Sequence, residues 1–139
     1  MDDKAAVKEI NQRFYEALSA QDLAAMEAVW LHEPWVRCVH PGWEMLTGWQ
    51  SIRKSWSNIF KNAAYLKIHA SKVTVHASGD VAWVVCTENI ASAQDANYQT
   101  ATALATNVYH KMGAVWLLVH HHASPVTVNV PVQTSESIQ

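Results

Sequence analysis

At 139 residues, 50% of them hydrophobic, the chain amounts to one domain with enough apolar material for a proper core. Ten Lys plus Arg against twelve Asp plus Glu leave a net charge of −2 and no basic block, which argues against a nucleic-acid partner. No stretch approaches the roughly 18 apolar residues of a membrane span, and the opening MDDKAAVKEI lacks the apolar segment of a signal peptide, so a soluble cytoplasmic protein without a membrane partner is expected. Cys38 and Cys86 are too few for a disulfide framework and lack the CxxC spacing of a zinc or redox site. Seven tryptophans and eight histidines are the unusual numbers: bulky aromatic walls and many groups that titrate near neutrality.

Asp2 and Asp3 are placed to cap a first helix, whose apolar stripe is Val7, Ile10, Phe14, Ala17 and Leu18 and which ends near Ser19. Asp22 caps a shorter helix carrying Leu23, Met26 and Val29, closed around Trp30 before the His32-Glu33-Pro34 turn. Trp35 to Val39 reads as a short strand turned by His40-Pro41-Gly42. Thr47 and Gln50 have the spacing of a capping box, ahead of a helix marked by Trp49, Ile52, Trp56 and Ile59. From Tyr65 onward the texture is β: runs 67–77, 81–91, 99–111 and 115–128, separated by turns at Ser78-Gly79 and Met112-Gly113 and a polar loop around Asp95 to Asn97. Helices first and antiparallel strands last predict an α+β fold, a curved sheet with helices on one face. The chain reads as one domain over 1–130 with a polar tail over 131–139.

Two-residue turns would set Val73 against Val84, His69 against Glu88, Ala105 against His120 and Ala103 against His122. We expect the face with Ala82, Ala101, Ala103, Ala105, Glu88 and these histidines to look inward, because its small residues cannot fill the space under a curved sheet without an occupant. A three-residue turn in either hairpin would instead send His121 inward in place of His120 and His122. The opposite face, with Trp83, Val85, Leu104, Thr106, Val108, Leu117 and Val119, is expected to join two copies as a homodimer.

The run His40-Pro41-Gly42-Trp43 through Thr47-Gly48-Trp49-Gln50-Ser51-Ile52 to Trp56, together with Trp116-Leu117-Leu118-Val119-His120-His121-His122-Ala123-Ser124-Pro125, resembles the nuclear transport factor two-like superfamily. Within it the resemblance is to the SnoaL-like branch of polyketide cyclases and ketosteroid isomerases. The last-strand run is also similar to the W-x-x-V-H-x-H-x-S segment of the calmodulin-dependent kinase association domain. The resemblance implies a cone-shaped, cystatin-like α+β barrel around a long helix, an apolar cavity inside the cone, chemistry usually done without a metal or cofactor, and commonly a dimer. It also places Glu88 and Asn107 where the association domain has pocket arginines, which points both inward. The residue set of the ketosteroid isomerases has no residue-by-residue counterpart here.

The candidate catalytic residues are His69, Glu88, Asn107, His120 and His122. Glu88 would orient His69 as a proton-abstracting base, and Asn107, His120 or His122 would donate to a developing oxyanion. The structural alternative is a solvated His69–Glu88 pair and core histidines bonded to backbone. The three histidines with Glu88 also have the chemistry for zinc or iron(II), but their spacing is not specific and no metal or cofactor is assigned. Tyr15, Trp30, Trp35, His40, Trp56, Cys86 and Tyr109 are candidate walls for a small apolar or aromatic molecule; packing is the competing role for each. Two functions stand: cofactor-independent lyase, isomerase or hydratase-type chemistry on a small aromatic or alicyclic substrate, or a non-catalytic ligand-binding or assembly module.

Overall fold

The computed structural model describes residues 2–127. Helix α1 spans Asp3–Ala20, started by the Asp2 carboxylate accepting from the Ala5 amide at 2.7 Å. Its inward stripe is Val7, Ile10, Phe14, Ala17 and Leu18, with the polar Asn11 and Tyr15 in the same stripe. Burying side chains such as Phe14 and Leu18 contributes about 1.5–3 kcal/mol each. Gln21 ends α1 in the left-handed region (φ 52°), and its amide donates to the Phe60 and Ala63 carbonyls, tying α1 to the end of α3. Helix α2, Leu23–Val29, is capped by Asp22.

Strands β1 (Arg37–Val39) and β2 (Leu46–Thr47) are short, and α3 follows at Trp49–Asn62. The expected Thr47 capping box does not form: Thr47 pairs with Arg37 in β2, and Gly48 caps α3 without a side-chain bond. Gly48 is needed there, with φ at 91° and the Pro34 carbonyl oxygen 3.3 Å from where a Cβ would stand. Four long strands complete the sheet: β3 (Tyr65–Ser78), β4 (Val81–Gln94), β5 (Asn97–Met112) and β6 (Val115–Pro125). The expected end of β6 at Val128 and the tail over 131–139 lie outside the described residues.

The strands form one curved, unclosed sheet in the order β2-β1-β6-β5-β4-β3. Neighbours are antiparallel except β1, which lies parallel to β6. The helices cover the inner face, as an α+β fold requires.

Registers differ from the expectation in two ways. The hairpin turns are Gly79-Asp80 and Gly113-Ala114, each one residue later than expected, and this alone leaves the faces unchanged. The second difference reverses them. A bulge between Ser71 and Thr74, with Lys72 at φ 53°, shifts β3 by one residue, so His69 stands opposite Asn89 and Ala70 opposite Glu88. A matching bulge at Val119 shifts β6, so His121 stands opposite Asn107 while His120 and His122 pair with Val108 and Thr106 on the outer face. Because side chains alternate, each extra residue exchanges the two faces beyond it.

Candidate active site

The inner face of β4 and β5 is as the alternation predicts. Ala82, Val84, Cys86, Glu88, Ala103, Ala105, Asn107 and Tyr109 are all buried, whereas Ala101, nearer the open end, is exposed. With Asn11 and Tyr15 of α1 and His121 of β6, four of these residues form a connected polar network inside the cone. The Tyr15 hydroxyl donates to Glu88 Oε2 at 2.7 Å, and Cys86 Sγ lies 3.3 Å from the same oxygen. Asn107 Nδ2 donates to that hydroxyl oxygen at 3.1 Å and to Asn11 Oδ1 at 2.9 Å, which also accepts from the Tyr109 hydroxyl at 2.8 Å. Asn107 Oδ1 is left to accept from His121 Nδ1 at 2.5 Å. That bond fixes the neutral tautomer of His121 with its proton on Nδ1, so the Nε2 lone pair faces Glu88 Oε2 at 3.9 Å.

Burial sets the charge states. Desolvation pushes the Glu88 carboxyl up to about 7, opposed by the Tyr15 hydrogen bond. Desolvation likewise holds His121 well below the ordinary imidazole range, with His40, His120 and His122 adding to the effect. Tyr15 is raised far above the ordinary phenol range by burial and by Glu88, so it remains a neutral donor. At neutral pH the pair is thus a carboxyl near its midpoint beside an uncharged imidazole.

Next to His121 lies a second buried cluster. His40 Nε2 donates to Ser55 Oγ at 2.8 Å, and Ser55 donates to the Ile52 carbonyl at 2.7 Å. Burial lowers His40 to about 4. Trp56 stands edge-on to His40 at 4.5 Å between ring centres, Phe14 lies 4.9 Å from the His121 ring, and the buried Trp56 Nε1 has no hydrogen-bond partner.

A cavity of about 370 Å³ opens between α1 and β3, with Asn11 and Tyr15 on one wall and Ile68, Ala70 and Val73 on the other. Its size suits a small ligand. Tyr15 links it to the network: one hydroxyl touches Glu88, Asn107 and Cys86 behind the cavity wall.

The structure thus brings together Tyr15, Cys86, Glu88, Asn107 and Tyr109, with His40 and Trp56 alongside. It does not pair His69 with Glu88. His69 is exposed at the cavity rim, on the opposite face of β3 from Ala70, because of the Lys72 bulge. His120 and His122 are outside the cone, so the three histidines and Glu88 do not converge on one metal position. Trp35 is 51% exposed in the turn before β1 rather than in a cavity wall, and Trp30 is packed in the core against Trp49. Two members of the network were missed in the inward assignment. His121 was hidden by the bulge, which nothing in the local sequence marks. Asn11 had a signal, a polar residue at helical spacing from Val7 and Phe14.

Comparison with known proteins gives consistent relatives. The model of the SnoaL-like domain family matches residues 7–129. A candidate dehydratase of the NTF2-like family from Streptomyces avermitilis is 33% identical, with a TM-score of 0.84 over 89% of this chain and 97% of that one. A candidate calcium/calmodulin-dependent protein kinase type II association domain from Thiobacillus denitrificans is 29% identical, with a TM-score of 0.77 over 86% and 94%. Among curated sequences, the F-box protein SKIP8 of Arabidopsis thaliana is 26% identical over 124 residues, 89% of this chain; the chain spans about half of that protein's length, 51%. No helix among the described residues is long and apolar enough to cross a membrane.

Proposed function

We propose, for a chain that belongs to the SnoaL-like domain family, that the cone performs cofactor-independent acid–base chemistry of the dehydratase or isomerase type on a small cyclic hydroxy-carbonyl compound. The observation that carries this is Glu88: a carboxyl that is 2% exposed, near its midpoint at neutral pH, bonded to Tyr15 at 2.7 Å and 3.9 Å from a neutral imidazole nitrogen. A core needs no such group for packing, and perturbed carboxyls of this kind gather where protons are moved.

Each side chain has a definite part. Ionised Glu88 or the Nε2 lone pair of His121 accepts a proton from the carbon next to the substrate carbonyl. Tyr15, locked as a phenol, donates a hydrogen bond to the enolate oxygen that forms. In an elimination the second group of the pair, in its protonated form, gives its proton to the departing hydroxyl, so water leaves as the double bond closes. In an isomerisation the same proton returns to another carbon. Asn107 positions both halves by holding His121 Nδ1 and the Tyr15 oxygen. The likeness to the Streptomyces avermitilis candidate dehydratase supports the first form.

The test is a screen of cyclic β-hydroxy ketones, read by the absorbance of the conjugated product. Glu88→Gln should lower kcat by roughly 10²-fold or more with the fold retained. Tyr15→Phe should cost about 10²–10³-fold, the scale of one oxyanion donor. Near wild-type turnover in Glu88→Gln removes the assignment. A second reading, a ligand-binding or assembly module, draws on the likeness to the association domain; saturable ligand binding without turnover of any compound would favour it. In either case a second copy is proposed to seat on the outer sheet face around Trp83, Leu104 and Leu117, and light scattering on Leu104→Lys tests it by the appearance of monomer.

A further inference from the structure

The outer face of the sheet carries a group of cations and imidazoles that the acid–base reading does not use. A shallow depression of about 570 Å³ between Leu104 and Val108 is lined by His120, His122, Thr106 and Ser124. The rings of His120 and His122 have centres 6.2 Å apart. Arg37 is the partner of His120 in the parallel β1–β6 pair, so its side chain leaves the sheet on the same side. Its guanidinium is in no ion pair among the described residues, its Nε is buried without a hydrogen-bond partner, and its contact is to the Met45 sulfur at 3.7 Å.

That arrangement is costly as it stands. A guanidinium has five donors and no acceptor capacity, and a buried unpaired donor on a charged group loses more than a neutral one. Nothing nearby compensates: β1, β5 and β6 contain no Asp or Glu at all. The groups facing His120 are Arg37 and Val39 from β1, Thr106 and Val108 from β5, and His122 from its own strand, with His110 the next titratable group along β5. The same composition argues against a metal, since Arg37 would repel a divalent cation and only two imidazoles are available.

We propose that Arg37, His120 and His122, with the hydroxyls of Thr106 and Ser124, form a binding site for a small oxyanion, a carboxylate or a phosphoryl-type group, on the outer face of the sheet. The guanidinium supplies the fixed charge and a planar pair of donors, and the imidazoles and hydroxyls supply the remaining hydrogen bonds. Burial, with His122 and Arg37 adding to it, depresses the charge on His120 in the free protein. A bound anion opposes that depression, so binding takes up a proton and tightens as pH falls.

The test is a titration of the full chain with sulfate and, separately, acetate, both of which keep constant charge between pH 6 and 8, read on the histidine ring resonances. His120 and His122 should move saturably, while His121 stays still as the internal control of the fold. Affinity should rise on going from pH 8 to pH 6. Arg37→Gln and the double variant His120→Asn/His122→Asn should each weaken binding by roughly tenfold or more. Sulfate binding more tightly than acetate marks a phosphoryl-type natural ligand, and the reverse order marks a carboxylate. Uniform small shifts of all exposed histidines, or unchanged affinity in a folded Arg37→Gln protein, overturn the proposal. Zinc moving His120 and His122 where neither anion does so replaces it with a metal chelate.

Discussion

His121 and its neighbours His120 and His122 occupy consecutive positions on one strand, yet they live in different media. His121 is 2% exposed, donates to Asn107 and faces a buried carboxyl. His120 is half-buried on the far side beside a guanidinium, and His122 is exposed. The same alternation runs along β5, where Asn107 closes the interior network and Thr106 and Val108 lie outside. Residue type is therefore a poor guide to role here. The side of the sheet decides whether an imidazole is a neutral base in a dry network or a donor on a wet face, because desolvation is the largest cause of the shift in both buried and half-buried positions.

The contrast is sharpest in stability along β5. Asn107→Ala strips partners from Asn11, Tyr15 and His121 together and should cost about 2–5 kcal/mol, whereas Thr106→Ala one residue away should stay within about 0.5 kcal/mol. Urea unfolding midpoints measure both, and equal costs would mean that the two faces are not distinct environments.

Next in size is the pH dependence contributed by Glu88. Its folded value of about 7 lies above the ordinary 4.5, so the native state holds the proton more tightly than the unfolded chain does. This contribution is fully present below about 4.5 and is lost as pH rises through about 7, amounting to about 3 kcal/mol at most. Glu88→Gln should therefore gain stability relative to the wild type as pH is raised from 4 to 8. His40 acts in the opposite sense: its folded value of about 4 lies below 6.5, so its contribution is present above 6.5 and lost as pH falls through 4. A Glu88→Gln profile parallel to the wild type would place the carboxyl in water.

A smaller and more local effect separates the histidines themselves. In a titration followed by ring carbon shifts, His121 and His40 should remain neutral from pH 8 to pH 5, and His120 should protonate below its ordinary 6.5 but before either of them. His121 protonating first would reverse the inside–outside assignment.

The smallest effect tests the bulge that fixes the faces of β3. Lys72 holds a left-handed conformation at φ 53°, which costs a non-glycine residue about 1–2 kcal/mol. Lys72→Gly should relieve that strain and raise stability by up to about 1 kcal/mol after its own entropy cost. A loss of stability would show that the Lys72 side chain contributes more than its backbone strain.

The sequence by itself determined the elements and one face of the sheet. Asp2 and Asp22 marked two helix starts, β-branched runs marked the four long strands, and the alternation of Ala82, Val84, Cys86 and Glu88 against Ala103, Ala105, Asn107 and Tyr109 placed most of the network inside the cone. These features are local: capping needs three residues and alternation needs a run of six. Only the tertiary structure decided what crosses the interior. The bulges at Lys72 and Val119 exchange faces in mid-strand, turning His69 outward and bringing His121 in beneath Asn107. Such a bulge is selected by how a curved sheet must bend around α1, and that curvature is a property of the packed molecule rather than of any window of its sequence.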